Sequence, residues 1–109
     1  MTKKIYSIDE IKQKVTPILK KAQVKRAILF GSYAKGTADE RSDIDIYIDS
    51  GGYLDGLNFF GVYGRVEERL KKRVDLIEAS DVITDSKVYN EIFSTGVDIL
   101  NTSSNNKIM

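Results

Sequence analysis

Asp43 and Asp45 stand one residue apart in SDIDIYID, inside an alternation of apolar and polar residues. In a strand, side chains at i and i+2 share a face, with backbones roughly 6.6 Å apart. Both carboxylates can therefore be aimed at one point. Alone, two close carboxylates repel, and one tends to hold its proton. A divalent cation between them removes that conflict, and magnesium favours one or two carboxylates completed by waters and phosphate oxygens. Asp75, in RVDLIE, supplies a third acid if its strand pairs beside the first. Such a cluster suits phosphoryl chemistry on one or two Mg2+ ions, which stabilise the attacking and leaving oxygens. One carboxylate can also take the proton of an attacking hydroxyl.

Gly31-Ser32 precedes these acids in FGSYAKGTADERSDID. A tight glycine turn offers backbone N–H groups and a hydroxyl to an anion. Gly36 lets the chain come close, and Lys35 places a positive charge near the phosphates. Singly, each residue has an ordinary reading: a strand edge, a turn, a solvated lysine, a helix cap at Ser32, a partner for Arg73 or Lys72 at Asp75. The combination carries the signal.

Other chemistries are excluded by composition. The chain has no Cys, so thiolate catalysis and Cys-zinc sites are out; it has no His, so a Ser-His-Asp triad is out. A formal net charge of +1 gives no general attraction to nucleic acid or an anionic membrane. No apolar run reaches the roughly 20 residues of a membrane span, and MTKKIYSIDE does not lead into a signal-peptide core. These features fit a cytoplasmic protein.

The elements that must position the acids follow from periodicity. SIDEIKQKVTPILKKAQ reads as a helix, with Ser7 and Glu10 at capping-box spacing and Pro17 expected to kink it or open a second helix. Residues 25–30 form a strand, 33–38 a brief helix, and 42–48 the clearest strand, with Ile44, Ile46 and Ile48 on one side and Asp43, Asp45 and Tyr47 on the other. Residues 50–56 are a glycine-rich loop. A helix over 57–72 should turn Leu57, Phe60, Val66 and Leu70 inward, despite Gly61 and Gly64. EERLKKR reads as a solvated helix face, and Tyr33 as an exposed turn residue. A strand over 73–78, a helix over 85–94 ended by Gly96, and a strand over 97–100 complete the chain. The order is α-β-α-β-α-β-α-β, one α/β (α+β) domain over 1–100 with a polar tail over 101–109 that is expected to fray.

GSYAKGTADERSDIDIYI resembles the motif of the DNA polymerase β-like nucleotidyltransferases, specifically their minimal members; the spacing to Asp75 and the GVDIL ending extend the likeness over most of the chain. The resemblance implies a small mixed sheet flanked by helices. It implies that Gly31 and Ser32 contact nucleotide phosphates and that Asp43, Asp45 and Asp75 hold magnesium. The usual arginine of the turn is Lys35 here, which cannot form arginine's fork to phosphate. Larger relatives carry an added acceptor-binding region. This chain has nine residues after its last predicted strand, so the acceptor is expected from another protein. For the minimal group the resemblance implies an antitoxin that transfers AMP from ATP to a tyrosine hydroxyl of a HEPN-domain RNase toxin, blocking it by added bulk and negative charge. Three alternatives stand beside this: a module that masks its partner without chemistry, a transferase for a small hydroxylated molecule such as an aminoglycoside, with a cleft built between two copies, and a scaffold domain.

Overall fold

The computed structural model describes residues 2–102. The chain runs α1 (Ile8–Lys21), β1 (Arg26–Phe30), α2 (Ser32–Lys35), β2 (Ile44–Asp49), α3 (Gly56–Leu70), β3 (Val74–Glu78), a 3-10 turn (Ala79–Asp81), α4 (Lys87–Thr95) and β4 (Val97–Asn101). Apart from that turn, this is the order expected from the sequence. The four strands make one mixed sheet, ordered β3-β2-β1-β4. β1 pairs antiparallel with β2 and β4, while β2 and β3 run parallel, joined through α3.

Local chemistry explains the helix ends. Ser7 Oγ accepts the Glu10 N–H, and Glu10 Oε1 accepts the Ser7 N–H, closing the expected capping box. α1 continues unbroken through Pro17, which opens no second helix. Pro17 and Gln13 are both exposed, so the proline that removes one helical N–H sits on the solvent side of α1, where its cost is lowest. Asp55 caps α3 through the Asn58 N–H, and Ser86 caps α4 through the Tyr89 N–H. Gly96 ends α4 with φ −70°, not in the left-handed region. It is glycine because a Cβ there would collide with the Ile92 carbonyl and with Ile28 Cγ2.

Ile44, Ile46 and Ile48 are fully buried, as their alternation predicts. They form the main core with Ile11, Val15 and Leu19 of α1 and Val62, Val66 and Leu70 of α3. The opposite face of the sheet is not open either. Ile28, Phe30 and Tyr47 pack there against Ile92 of α4, and the Tyr47 ring meets Phe93 edge-on at 5.4 Å. Tyr33 is likewise core, 4% exposed, contrary to the expected exposed turn residue.

α3 turns differently from the expectation. Val66 and Leu70 point inward, but Leu57 and Phe60 are 87% and 69% exposed, and Val62 takes the inner face with Phe59 and Tyr63 half-buried beside it. Leu70→Ala is expected to cost about 2–5 kcal/mol of stability. Leu57→Ala should stay within about 0.5 kcal/mol; urea unfolding of both variants checks the rotation. EERLKKR is not uniformly solvated: Glu67 Oε2 accepts the Val74 N–H at 3.1 Å, Lys71 caps the helix at φ 54°, and Lys72 is buried. Ser50, also buried, donates to Glu78 Oε2 and accepts the Leu54 N–H, pinning the loop after β2. At the far end, Asn101 belongs to β4 and the Thr102 N–H donates to the Lys25 carbonyl, so both are fixed to the sheet. The rest of the expected tail, 103–109, lies outside the described residues.

Candidate active site

Strand register brings the acids together. In the parallel pairing of β2 with β3, Asp45 stands opposite Asp75, so the two side chains leave the same face of the sheet as neighbours. Asp43 precedes β2 and shares that face by its i, i+2 relation to Asp45. On the other side of β2, Phe30 of β1 pairs with Asp45, and the chain turns immediately after it. Gly31 therefore emerges against Asp45. Its backbone sits at φ 74°, ψ −153°, a region essentially reserved for glycine. A Cβ at Gly31 would run into the Asp45 carboxylate. Two separate demands, conformation and space, fall on one residue.

The electrostatics follow from this packing. Asp45 is half-buried, and burial first, then the charges of Asp75, Asp43 and Glu91, push its pKa up to about 6. Arg73 offsets part of the negative charge, with Nε 3.6 Å from Asp43 Oδ1. The carboxylates are neighbours rather than a closed cage: among the described residues no three acids stand close enough to form a metal-ligating group. The donor chemistry itself suits a hard divalent cation. Oxygen ligands gather where one carboxylate resists ionising, and magnesium needs few protein ligands when phosphate oxygens supply the rest.

The remaining expected residues occupy less direct places. Ser32 opens α2, half-buried beside Gly31, and its carbonyl accepts the Gly36 and Thr37 N–H groups. Gly36 is exposed and caps α2 in the left-handed region at φ 76°, with open space around it. Its glycine serves the left-handed turn, and no protein atom crowds it. Lys35 Nζ lies 2.9 Å from Glu91 Oε2 of α4, so its charge is engaged by a carboxylate. Glu91 had no signal in the sequence. It sits one position from a buried isoleucine in an ordinary helix, and only the docking of α4 brings it near Asp45. Glu91→Gln is expected to lower the Asp45 pKa, because one of the neighbouring charges disappears, and to release Lys35. A 13C-detected carboxyl titration reads the direction; an unchanged or raised Asp45 midpoint contradicts it.

The chain is similar to proteins already known. The family model described as "Polymerase beta, Nucleotidyltransferase" matches residues 13–105. A Methanocaldococcus jannaschii protein named "Putative protein adenylyltransferase MJ0435" is 38% identical over 96 residues, covering 86% of this chain and 99% of that protein. A second from that organism, MJ1215, bears the same designation and is 38% identical over 81 residues, covering 73% of this chain and 94% of its own. Among solved structures, one described as a toxin-antitoxin with AMP-PNP superposes with a TM-score of 0.74 at 23% identity, over 89% of this chain and 78% of the other. Another, described as a tri-AMPylated Shewanella oneidensis HEPN toxin in complex with its MNT antitoxin, gives a TM-score of 0.68 at 20% identity, over 92% and 77%. No helix among the described residues is long and apolar enough to cross a membrane.

Proposed function

The chain belongs to the polymerase beta nucleotidyltransferase family, and from that premise we propose that it is an antitoxin that transfers AMP from ATP to a tyrosine hydroxyl of a HEPN-type toxin. The observation that carries the reading is the side-by-side register of Asp45 and Asp75 against the Gly31 backbone. The relatives named as protein adenylyltransferases support the reaction class, and the toxin–antitoxin neighbours support the kind of partner.

In this reading the Gly31 and Ser32 backbone and the Ser32 hydroxyl hold the triphosphate, and Gly36 sets the turn that presents them. Lys35 exchanges Glu91 for a phosphate oxygen when nucleotide arrives. Asp43 and Asp45 are the ligands for magnesium, with Asp75 beside them. The ion, when bound, would neutralise charge on the oxygens around the α-phosphorus and on the departing pyrophosphate. The acceptor hydroxyl oxygen forms a bond to the α-phosphorus while the bond from that phosphorus to the bridging oxygen breaks, and pyrophosphate departs. Asp75, which is exposed, takes the hydroxyl proton.

Labelled ATP, magnesium and a HEPN partner encoded beside this chain provide the test. The expected result is label on the partner, lost with Asp43→Ala while the complex still forms. Neutralisation that survives Asp43→Ala means masking without chemistry. Turnover on a small hydroxylated acceptor with no protein present means the aminoglycoside-type alternative.

A further inference from the structure

Lys72 is a charged side chain with almost no access to water, 3% exposed. Its ammonium has three donors, and two of them reach only backbone carbonyls, Glu40 O at 3.2 Å and Thr2 O at 3.4 Å. Among the described residues no carboxylate lies within ion-pair distance of it. Burying a cation without a counter-charge is costly, and two long bonds to neutral oxygens compensate it poorly.

This lysine lines a cavity of about 440 Å³ at the entrance to β2 and β3. Lys3, Arg41 and Arg73 line it too, together with Glu40 and Asp43. Four cations face two anions, and Asp43 is already shared with Arg73. The cavity is therefore positive inside, in a chain whose overall charge is close to zero. With the residues assigned to the nucleotide and the metal it shares Asp43 and none of the others. It is thus a second compartment that opens beside the reacting centre.

We infer that this cavity binds a phosphate group, with Arg41 and Arg73 closing on its oxygens and the Lys72 ammonium, held in place by the two carbonyls, as the fixed positive charge behind them. A phosphate offers several acceptor oxygens to donors arriving from different elements, which a single carboxylate cannot match. The site itself does not depend on the reaction assigned above. Its use does rest on that reading: the phosphate belongs either to an acceptor that already carries one AMP or to the departing pyrophosphate.

The test needs no transfer. Inorganic phosphate is titrated into the full chain while backbone amide shifts are recorded. Shifts are expected at residues 40–43 and 72–74, and Lys72→Met should weaken the titration by about tenfold or more. Arg41→Gln, an exposed change that leaves the core untouched, should weaken it several-fold and decides the matter if Lys72→Met does not fold. Shifts confined to residues 31–36, no shifts at all, or a titration unaltered by the variants overturns the inference. Tyrosine O-adenylate and pyrophosphate then separate the two sources, since the one that moves the same amides at the lower concentration is the occupant. Failure of the transfer assay with an intact phosphate titration would remove the assigned reaction and leave the site standing.

Discussion

Asp45→Asn should abolish transfer and make the nucleotide-free protein more stable above pH 6. The loss follows if Asp45 is the charged oxygen ligand proposed above, an effect of roughly 10²–10³-fold or more. The gain follows from the folded environment. Asp45 has its pKa raised from 3.8 to about 6, chiefly by burial and then by Asp75, Asp43 and Glu91. Between those values the native chain keeps a proton that the unfolded chain has released, so stability falls as pH rises through the window and levels off above it. An asparagine has no charge to penalise. The variant should match the wild type below about pH 4 and exceed it above pH 6, by about 1–2 kcal/mol once solvent around a half-exposed group is allowed for. Urea titrations at the two pH extremes read this directly. A variant that loses equal stability at both would mean that Asp45 is held by favourable contacts rather than by crowding.

The second large effect belongs to Gly31→Ala. An alanine there must hold φ 74°, ψ −153° or abandon it. Its methyl group also occupies the space of the Asp45 carboxylate. Backbone strain of about 1–3 kcal/mol adds to a packing clash of similar size, for a total of roughly 3 kcal/mol or more. Because the clash is with Asp45 itself, nucleotide affinity should fall even where the protein remains folded. Gly36→Ala is the internal comparison. It has strain without a clash, so it should lose only about 1 kcal/mol. Equal costs at the two glycines, by urea unfolding, would show that space against Asp45 is irrelevant.

How far the sequence reveals this molecule depends on whether a feature is written locally. The alternation around Ile44, Ile46 and Ile48 defines β2 because a strand has only two faces, and one must be apolar. The Ser7–Glu10 box marks α1 because both partners lie within one turn. The acids are legible for the same reason: Asp43 and Asp45 are neighbours in sequence, and Asp75 sits in a recognisable strand. GLNFFGVYG failed because it is apolar nearly all round, so the phase of its buried stripe is set by packing rather than by pattern. That is why Leu57 and Phe60 ended outside and Val62 inside. The Lys35–Glu91 pair and the burial of Lys72 join residues distant in the chain. Nothing near either residue announces its partner. Lys72 in particular lies in a run of charges that reads as surface, and only the return of the N-terminal segment across it encloses the side chain.

The proposed function depends on Asp43 and Asp45, with Asp75 beside them, holding a divalent cation shared with a triphosphate. Calorimetric titration of ATP into the protein, with and without magnesium, and into Asp45→Asn, measures that most directly. Binding is expected to require magnesium and to disappear in the variant, while the variant remains folded. ATP binding of equal strength without the metal, or unchanged in Asp45→Asn, would contradict it.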